Sequence, residues 1–269
     1  MNARTLFDLT GHVALITGGA GLLGVKHAEA IAEMGGIPVL ADIDGLRAEE
    51  AADKIKLGTG VGCYAVQVDI TDSGQVYSVV RQVVERSGRI DILINNAAMT
   101  VRGGESHEDY FAPFEFYPQG LWEEALRVNL TGMFLVTQSV GNVMCTQKKG
   151  VIVNIASDVG LISPDHRIYA SENFNTPISY AVSKAGMINF TRYLATYWAD
   201  KNIRVNALCP AGVYHNHDPR FVEKLVYRIP MARMAHDDEY KGAIIFLVSG
   251  ASSFMTGATL IVDGGRTSW

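Results

Sequence analysis

Apolar residues in this chain fall into short unbroken runs, separated by longer stretches in which they return every three or four positions. The runs at 12–17, 37–41, 62–68, 91–95, 150–156, 203–208 and 258–262 predict strands. The stretches at 22–34, 45–56, 73–86, 119–145, 179–200 and 238–248 predict helices. Val151-Ile-Val-Asn-Ile155 and Ile92-Leu-Ile94 are continuous rather than alternating, as strands are when both faces of a parallel sheet are covered. Strand and helix alternate without a Pro/Ser-rich linker, which predicts one doubly wound, mostly seven-stranded parallel sheet in a single α/β domain over 1–269. Right-handed crossovers then put the site at the carboxyl ends of the strands. Segments near 99–118, 158–178 and 210–230 are too long for simple connections and are expected to carry substrate contacts.

Composition narrows the class. Apolar residues make up 48% of the chain, ample for a core. The net charge of −5, with no Lys/Arg cluster, excludes a nucleic-acid backbone binder. The three cysteines, Cys63, Cys145 and Cys209, are scattered, with neither a disulfide framework nor zinc spacing, so a reducing compartment is expected. No apolar run approaches a membrane span, and the first residues lack a signal-peptide core, so the expected location is the cytoplasm.

Candidate chemistry begins at Thr17-Gly-Gly-Ala-Gly-Leu-Leu-Gly24, directly after the first predicted strand. A turn between strand and helix that cradles a pyrophosphate needs backbone room, which Gly18, Gly21 and Gly24 provide, and a helix N-terminus facing the anion. Asp42, at the end of the second strand, can accept hydrogen bonds from ribose hydroxyls and repels a 2′-phosphate. Gly19 adds no basic side chain, so NAD is expected over NADP. Arg47 is the one cation nearby and reads as a solvated residue on helix 45–56. Asp69 closes the third strand, where it can meet an adenine or cap a helix.

Tyr180 and Lys184 are four apart on one helical face, a spacing in which the lysine charge favours tyrosinate. Ser157 follows the fifth strand, where it can polarise a carbonyl. Tyr197 and Lys201 repeat the spacing, but about 25 Å further along the helix, and read as structural.

Taken together, these residues make the chain similar to the short-chain dehydrogenase/reductase family, in its short branch. The likeness covers nearly all of the chain and includes Asn95-Asn-Ala-Ala98, Asn129, Ser157, Tyr180/Lys184 and Val262-Asp-Gly-Gly265. It implies a Rossmann-type fold. It also implies Tyr180 as general acid/base, Lys184 on the nicotinamide ribose, Ser157 on the substrate oxygen, and Asn129 holding a relay water. The cofactor set so obtained is Gly18, Gly21, Leu23, Gly24, Asp42, Ile43, Asp69, Ile70, Asn96, Ala97, Ala98, Tyr180, Lys184, Pro210, Gly212 and Val213. The resemblance further implies a homotetramer built through the two long helices.

Three departures accompany it. The turn has the glycine spacing of the family's longer, sugar-nucleotide-modifying branch. Ala98 and Ala211 stand where glycine is usual. Ser157 and Tyr180 are 23 positions apart, more than the short branch commonly has, so 158–178 is expected to loop over the substrate.

The long segments bring Arg102, His107, Asp165, His166, Arg167, Tyr110, Phe111 and Phe116, with Tyr214-His-Asn-His-Asp-Pro-Arg220 in the third. A polar, cationic mouth suits a polyol, sugar or sugar phosphate, with Arg102, Arg167, His215 or Arg220 available for an anion. His215 and His217 are not expected to hold a metal. The loop sequence and the ending also resemble oxidoreductases that modify sugars for flagellin or surface glycans. The reading is an NAD-dependent oxidoreductase interconverting a secondary alcohol and a ketone on a sugar- or polyol-like small molecule. Its alternatives are an NAD-retaining sugar-nucleotide epimerase or dehydratase, and a non-catalytic dinucleotide sensor.

Overall fold

The computed structural model describes residues 2–99, 107–168 and 175–269. Seven strands form one all-parallel sheet in the order β3-β2-β1-β4-β5-β6-β7. They are β1 (Val13–Thr17), β2 (Ile37–Asp42), β3 (Tyr64–Gln67), β4 (Ile92–Asn95), β5 (Gly150–Ile155), β6 (Ile203–Pro210) and β7 (Thr259–Val262). The chain winds outward from β1 in one direction, then returns across it to build the other half. That reversal leaves a crevice between the carboxyl ends of β1 and β4.

Successive strand residues feed opposite cores, which is why the runs are unbroken. Ala14 and Ile16 pack on one face with Ala28, Ile31, Ile244 and Leu247. Val13 and Leu15 pack on the other with Val79, Val83, Val140, Met144 and Leu194. The first layer is made by α1 (Leu22–Glu33), α2 (Gly45–Thr59) and α9 (Lys241–Val248), the second by α3 (Ser73–Ser87), α6 (Met133–Gln147) and α7 (Ile178–Tyr197).

The predicted helix 119–145 is not continuous. It consists of α5 (Gln119–Leu126), a π-helical stretch Arg127–Gly132, and α6. A π turn moves each N–H from its i−4 to its i−5 carbonyl, a shift that side-chain periodicity does not register. Two further helices lie in the long segments, α4 (His107–Tyr110) and α8 (Pro219–Val226). The second is signalled by Asp218, whose carboxylate accepts from Arg220 N, and by Pro219 in the first turn.

Candidate active site

The site starts where β1 ends. Gly18 has φ +61, and a Cβ there would stand 2.8 Å from Ala97 Cα. A Cβ on Gly24 would come within 2.1 Å of the Gly18 carbonyl oxygen, so α1 docks on the turn only without one. Thr17 Oγ1 accepts from Asn96 N and Ala97 N, both at 3.1 Å, and Asn96 Nδ2 donates to the Thr17 and Gly18 carbonyls. The β1 and β4 exits are thereby stitched into one floor.

Above that floor lies a cleft of about 750 Å³. Gly18, Gly21, Leu23, Asp42, Ile43, Asp69, Ile70, Asn96, Ala97, Ala98, Ser157, Tyr180, Lys184, Pro210, Gly212 and Val213 line it. Gly24 does not; its part is to let α1 approach. The cradle that a Cβ would fill at Gly18, and a carboxylate at the far end of the cleft, fit a dinucleotide. Asp42 Oδ2 accepts from Ala20 N at 2.9 Å and Oδ1 from Asp44 N at 3.1 Å, which fixes the carboxylate at the cleft's edge. Arg47, read from sequence as solvated, lines the same end, its guanidinium donating to the Ala20 carbonyl at 3.5 Å. Asp69 Oδ1 accepts from the backbone and hydroxyl of Thr71, so this carboxylate also braces its own turn.

Three groups meet at the other end. Tyr180 lies in the first turn of α7, which returns the chain to the end of β5 despite the long intervening segment. It shares one wall of the cleft with Ser157, which is 7% exposed. Lys184, 2% exposed, donates from Nζ to the Ile155 carbonyl at 2.7 Å and stands 5.4 Å from the centroid of the Tyr180 ring.

Burial dominates both titrations. It pushes the Tyr180 phenol up to about 12, reinforced by the Asp158 charge. It brings the Lys184 ammonium down to about 8. A phenol lowered by its lysine, as the spacing led one to expect, is therefore not what the protein alone presents. The desolvation shared by the two side chains outweighs their attraction.

Asn129 sits in the π stretch, fully buried, and both the oxygen and the nitrogen of its amide have partners. Oδ1 accepts from Met99 N at 2.6 Å, and Nδ2 donates to Ser183 Oγ at 3.0 Å. It ties the β4 exit to α7 rather than lining the cleft with its amide. Tyr197, by contrast, is exposed and stacks on Tyr193, while Lys201 pairs with Asp200.

The substrate end differs from the cationic mouth read from sequence. His215 lines it, with Val159, Thr176, His217, Phe221, Leu225, Met234 and Arg266. Arg167 does not: it forks onto Asp165 at 2.8 and 2.9 Å, a local pairing that holds it at the surface. Arg220 likewise pairs with Asp218. Tyr110 is buried against Met99 and Ala125, and Phe116 is exposed. Arg102 lies outside the described residues. Sequence reasoning missed Asp158 and Arg266, a buried pair that approaches from 108 positions apart. The only local signal was an acidic residue directly after Ser157.

Comparison with known proteins agrees with this geometry. A family model described as enoyl-(acyl carrier protein) reductase matches residues 19–267. The NAD-dependent glycerol dehydrogenase of Listeria innocua is 33% identical over 266 residues, 97% of this chain and 96% of that protein. The 3-oxoacyl-(acyl-carrier-protein) reductase of Thermotoga maritima is 36% identical over 270 residues, 96% of this chain and 98% of that protein. The crystal structure of a gluconate 5-dehydrogenase from Burkholderia cenocepacia, in complex with NADP and tartrate, superposes with a TM-score of 0.88 at 31% identity and covers 100% of both chains. The glycine cradle, the Ser157–Tyr180–Lys184 meeting point and the parallel sheet thus have one common explanation: this chain belongs to the short-chain dehydrogenase/reductase family.

Proposed function

We propose that the protein interconverts a secondary alcohol and a ketone on a polyol- or sugar-like substrate, with NAD as the preferred cofactor. The observation that carries this reading is the meeting of the Tyr180 phenol, the Ser157 hydroxyl and the Lys184 ammonium on one wall of the dinucleotide cleft. A nicotinamide dinucleotide, when bound, supplies the hydride acceptor or donor. The remaining work falls to the chain. Ser157 orients the reacting oxygen, and Tyr180 takes the alcohol proton in oxidation or returns it in reduction. Lys184, held on the Ile155 carbonyl, contributes the charge that favours the phenolate.

Asp42 at the adenosine end supports NAD, because a carboxylate there accepts from ribose hydroxyls. Thr176, His215 and His217 give the substrate end hydrogen-bonding capacity, which supports a hydroxylated substrate. The named activities of the glycerol and gluconate enzymes point the same way. Phe221, Leu225 and Met234 favour a second reading, reduction of a 3-oxoacyl chain, in line with the Thermotoga relative. A homotetramer belongs to the proposal and is tested by sedimentation.

The deciding experiment is a screen for NAD and NADP reduction over polyols, sugars and sugar phosphates, with NADH and NADPH oxidation by 3-oxoacyl thioesters in parallel. Polyol-dependent release of free NADH supports the proposal; activity with thioesters alone overturns it. Tyr180→Phe should abolish turnover while NAD still binds, whereas Tyr197→Phe should leave turnover nearly unchanged. Equal losses in both variants would contradict the assignment.

A further inference from the structure

Asp158 follows Ser157 and is 2% exposed. Its Oδ1 accepts from Ser157 Oγ at 2.9 Å and from Val159 N at 2.8 Å, and its Oδ2 accepts from Arg266 Nη1. Arg266 is itself 9% exposed, and both side chains line the cleft. The arginine is held in place by Asp263. Its two carboxylate oxygens accept from Gly265 N at 2.8 Å and Thr267 N at 2.7 Å, fastening the turn after β7 on both sides of Arg266.

The geometry has a consequence for one proton. Asp158 already accepts from Arg266 through Oδ2, and a carboxylate only accepts. The single hydroxyl hydrogen of Ser157 therefore points at Asp158. What Ser157 turns to Tyr180 is a lone pair, which a phenol hydrogen can meet and a phenolate cannot.

We infer that Asp158, anchored by Arg266, is a positioning residue that acts through Ser157. It draws the serine hydrogen away from Tyr180 and so keeps the resting tyrosine in its acid form. A reacting oxygen gains the serine hydrogen bond only by turning the hydroxyl off Asp158, a rotation about Cβ–Oγ that breaks no covalent bond. The inference rests on the reading of Ser157 and Tyr180 as the reacting pair.

The groups facing the Tyr180 phenol are few among the described residues. Lys184 stands one turn along α7, Ser157 and Asp158 follow β5, Cys209 lies near the end of β6, and Tyr110 reaches in from α4. Burial raises both the Cys209 thiol, to about 11, and the Tyr110 phenol. Among these groups Asp158 is the one carboxylate facing the phenol.

The test needs no substrate. The whole chain is labelled with carbon-13 at tyrosine Cζ, and the Tyr180 resonance is assigned by its loss in Tyr180→Phe. Ionisation is then followed by NMR in the wild type, Asp158→Asn, Ser157→Ala and the double variant. Asp158→Asn should raise the Tyr180 ionisation constant about tenfold, one pKa unit. In the Ser157→Ala background the same substitution should achieve less than half of that shift.

An equal shift in both backgrounds means that Asp158 acts through space and overturns the inference. So does no shift, or a Tyr180 that stays protonated up to alkaline unfolding in both wild type and Asp158→Asn. Should the unpaired Arg266 prevent folding, Asp158→Asn/Arg266→Gln replaces the ion pair with a neutral one and is held to the same criteria. Arg266→Lys, which retains a cation, should restore the wild-type midpoint; loss of that rescue counts against the anchoring role.

Where a substrate is in hand, the acid limb of kcat/KM for alcohol oxidation should move to lower pH by the same amount in Asp158→Asn. A failed polyol screen leaves the NMR result standing. A polyol dehydrogenase whose Tyr180 ignores Asp158 sinks this inference alone.

Discussion

Titratable side chains set much of this protein's behaviour, and two of them lend themselves to direct measurement. His27 is fully buried in α1 with neither ring nitrogen hydrogen-bonded, and burial holds it neutral by bringing its pKa down to about 3. Below about pH 6.5 the unfolded chain binds a proton that the folded one refuses, so stability falls as pH drops from there towards 3. The loss approaches about 1.4 kcal/mol per pH unit within that window. Urea unfolding of wild type and His27→Leu at pH 7 and pH 5 should show the variant losing less stability on acidification. Equal losses would contradict the assignment. Asp42 gives a second case. On the function proposed above, losing the carboxylate takes an acceptor from the adenosine end and leaves Arg47 on that wall of the cleft. Asp42→Ala should therefore shift the ratio of kcat/KM for NAD over NADP towards NADP by about tenfold or more, the worth of one charged hydrogen bond. An unchanged ratio would remove Asp42 as the ribose reader.

The glycine turn shows how a single methyl decides the fit of a helix. In Gly24→Ala the added Cβ would meet the Gly18 oxygen at 2.1 Å, so α1 must move away from the turn it caps. Overpacking of this kind costs about 1–3 kcal/mol. The variant should melt at a lower temperature and bind NAD more weakly, as read by calorimetry and cofactor fluorescence; undiminished NAD affinity would separate the turn from the cradle. This turn, the strands and the Tyr180/Lys184 spacing could be read in the chain because each is a local pattern. The break between α5 and α6 could not. It is found where Asn129 reaches Met99 and Ser183, contacts that join segments 30 and 54 positions away. Nor could the pairing of Arg167 with Asp165 be told from an arginine free for substrate, since sequence gives proximity but not direction. Helix α8 was legible in Asp218-Pro219, yet lay in a segment already read as a loop.

Asp165 also connects the two segments that wall the substrate end. Beyond its fork to Arg167, its Oδ2 pairs with Arg228 Nη2 at 2.7 Å. Beneath this contact Ile168 packs with Leu225, Ile229 and Met234 in a small core of its own, separate from the two that sandwich the sheet. Releasing the tie should loosen the wall while the dinucleotide end, some strands away, keeps its shape. Asp165→Asn should raise the substrate KM several-fold with the Kd for NAD unchanged; a parallel rise in both would mean that the segments are not independent of the cradle. The same molecule-wide view gives the last strand a further meaning. β7 is an outer rung of the sheet, partnered among the described residues only by β6, and the residues just after it carry Arg266 to Asp158. Fraying at this rim would unseat the guanidinium and, with it, the serine two contacts away. Catalytic competence is thus tethered to one edge of the sheet, and turnover would fall silent while most of the architecture still stood.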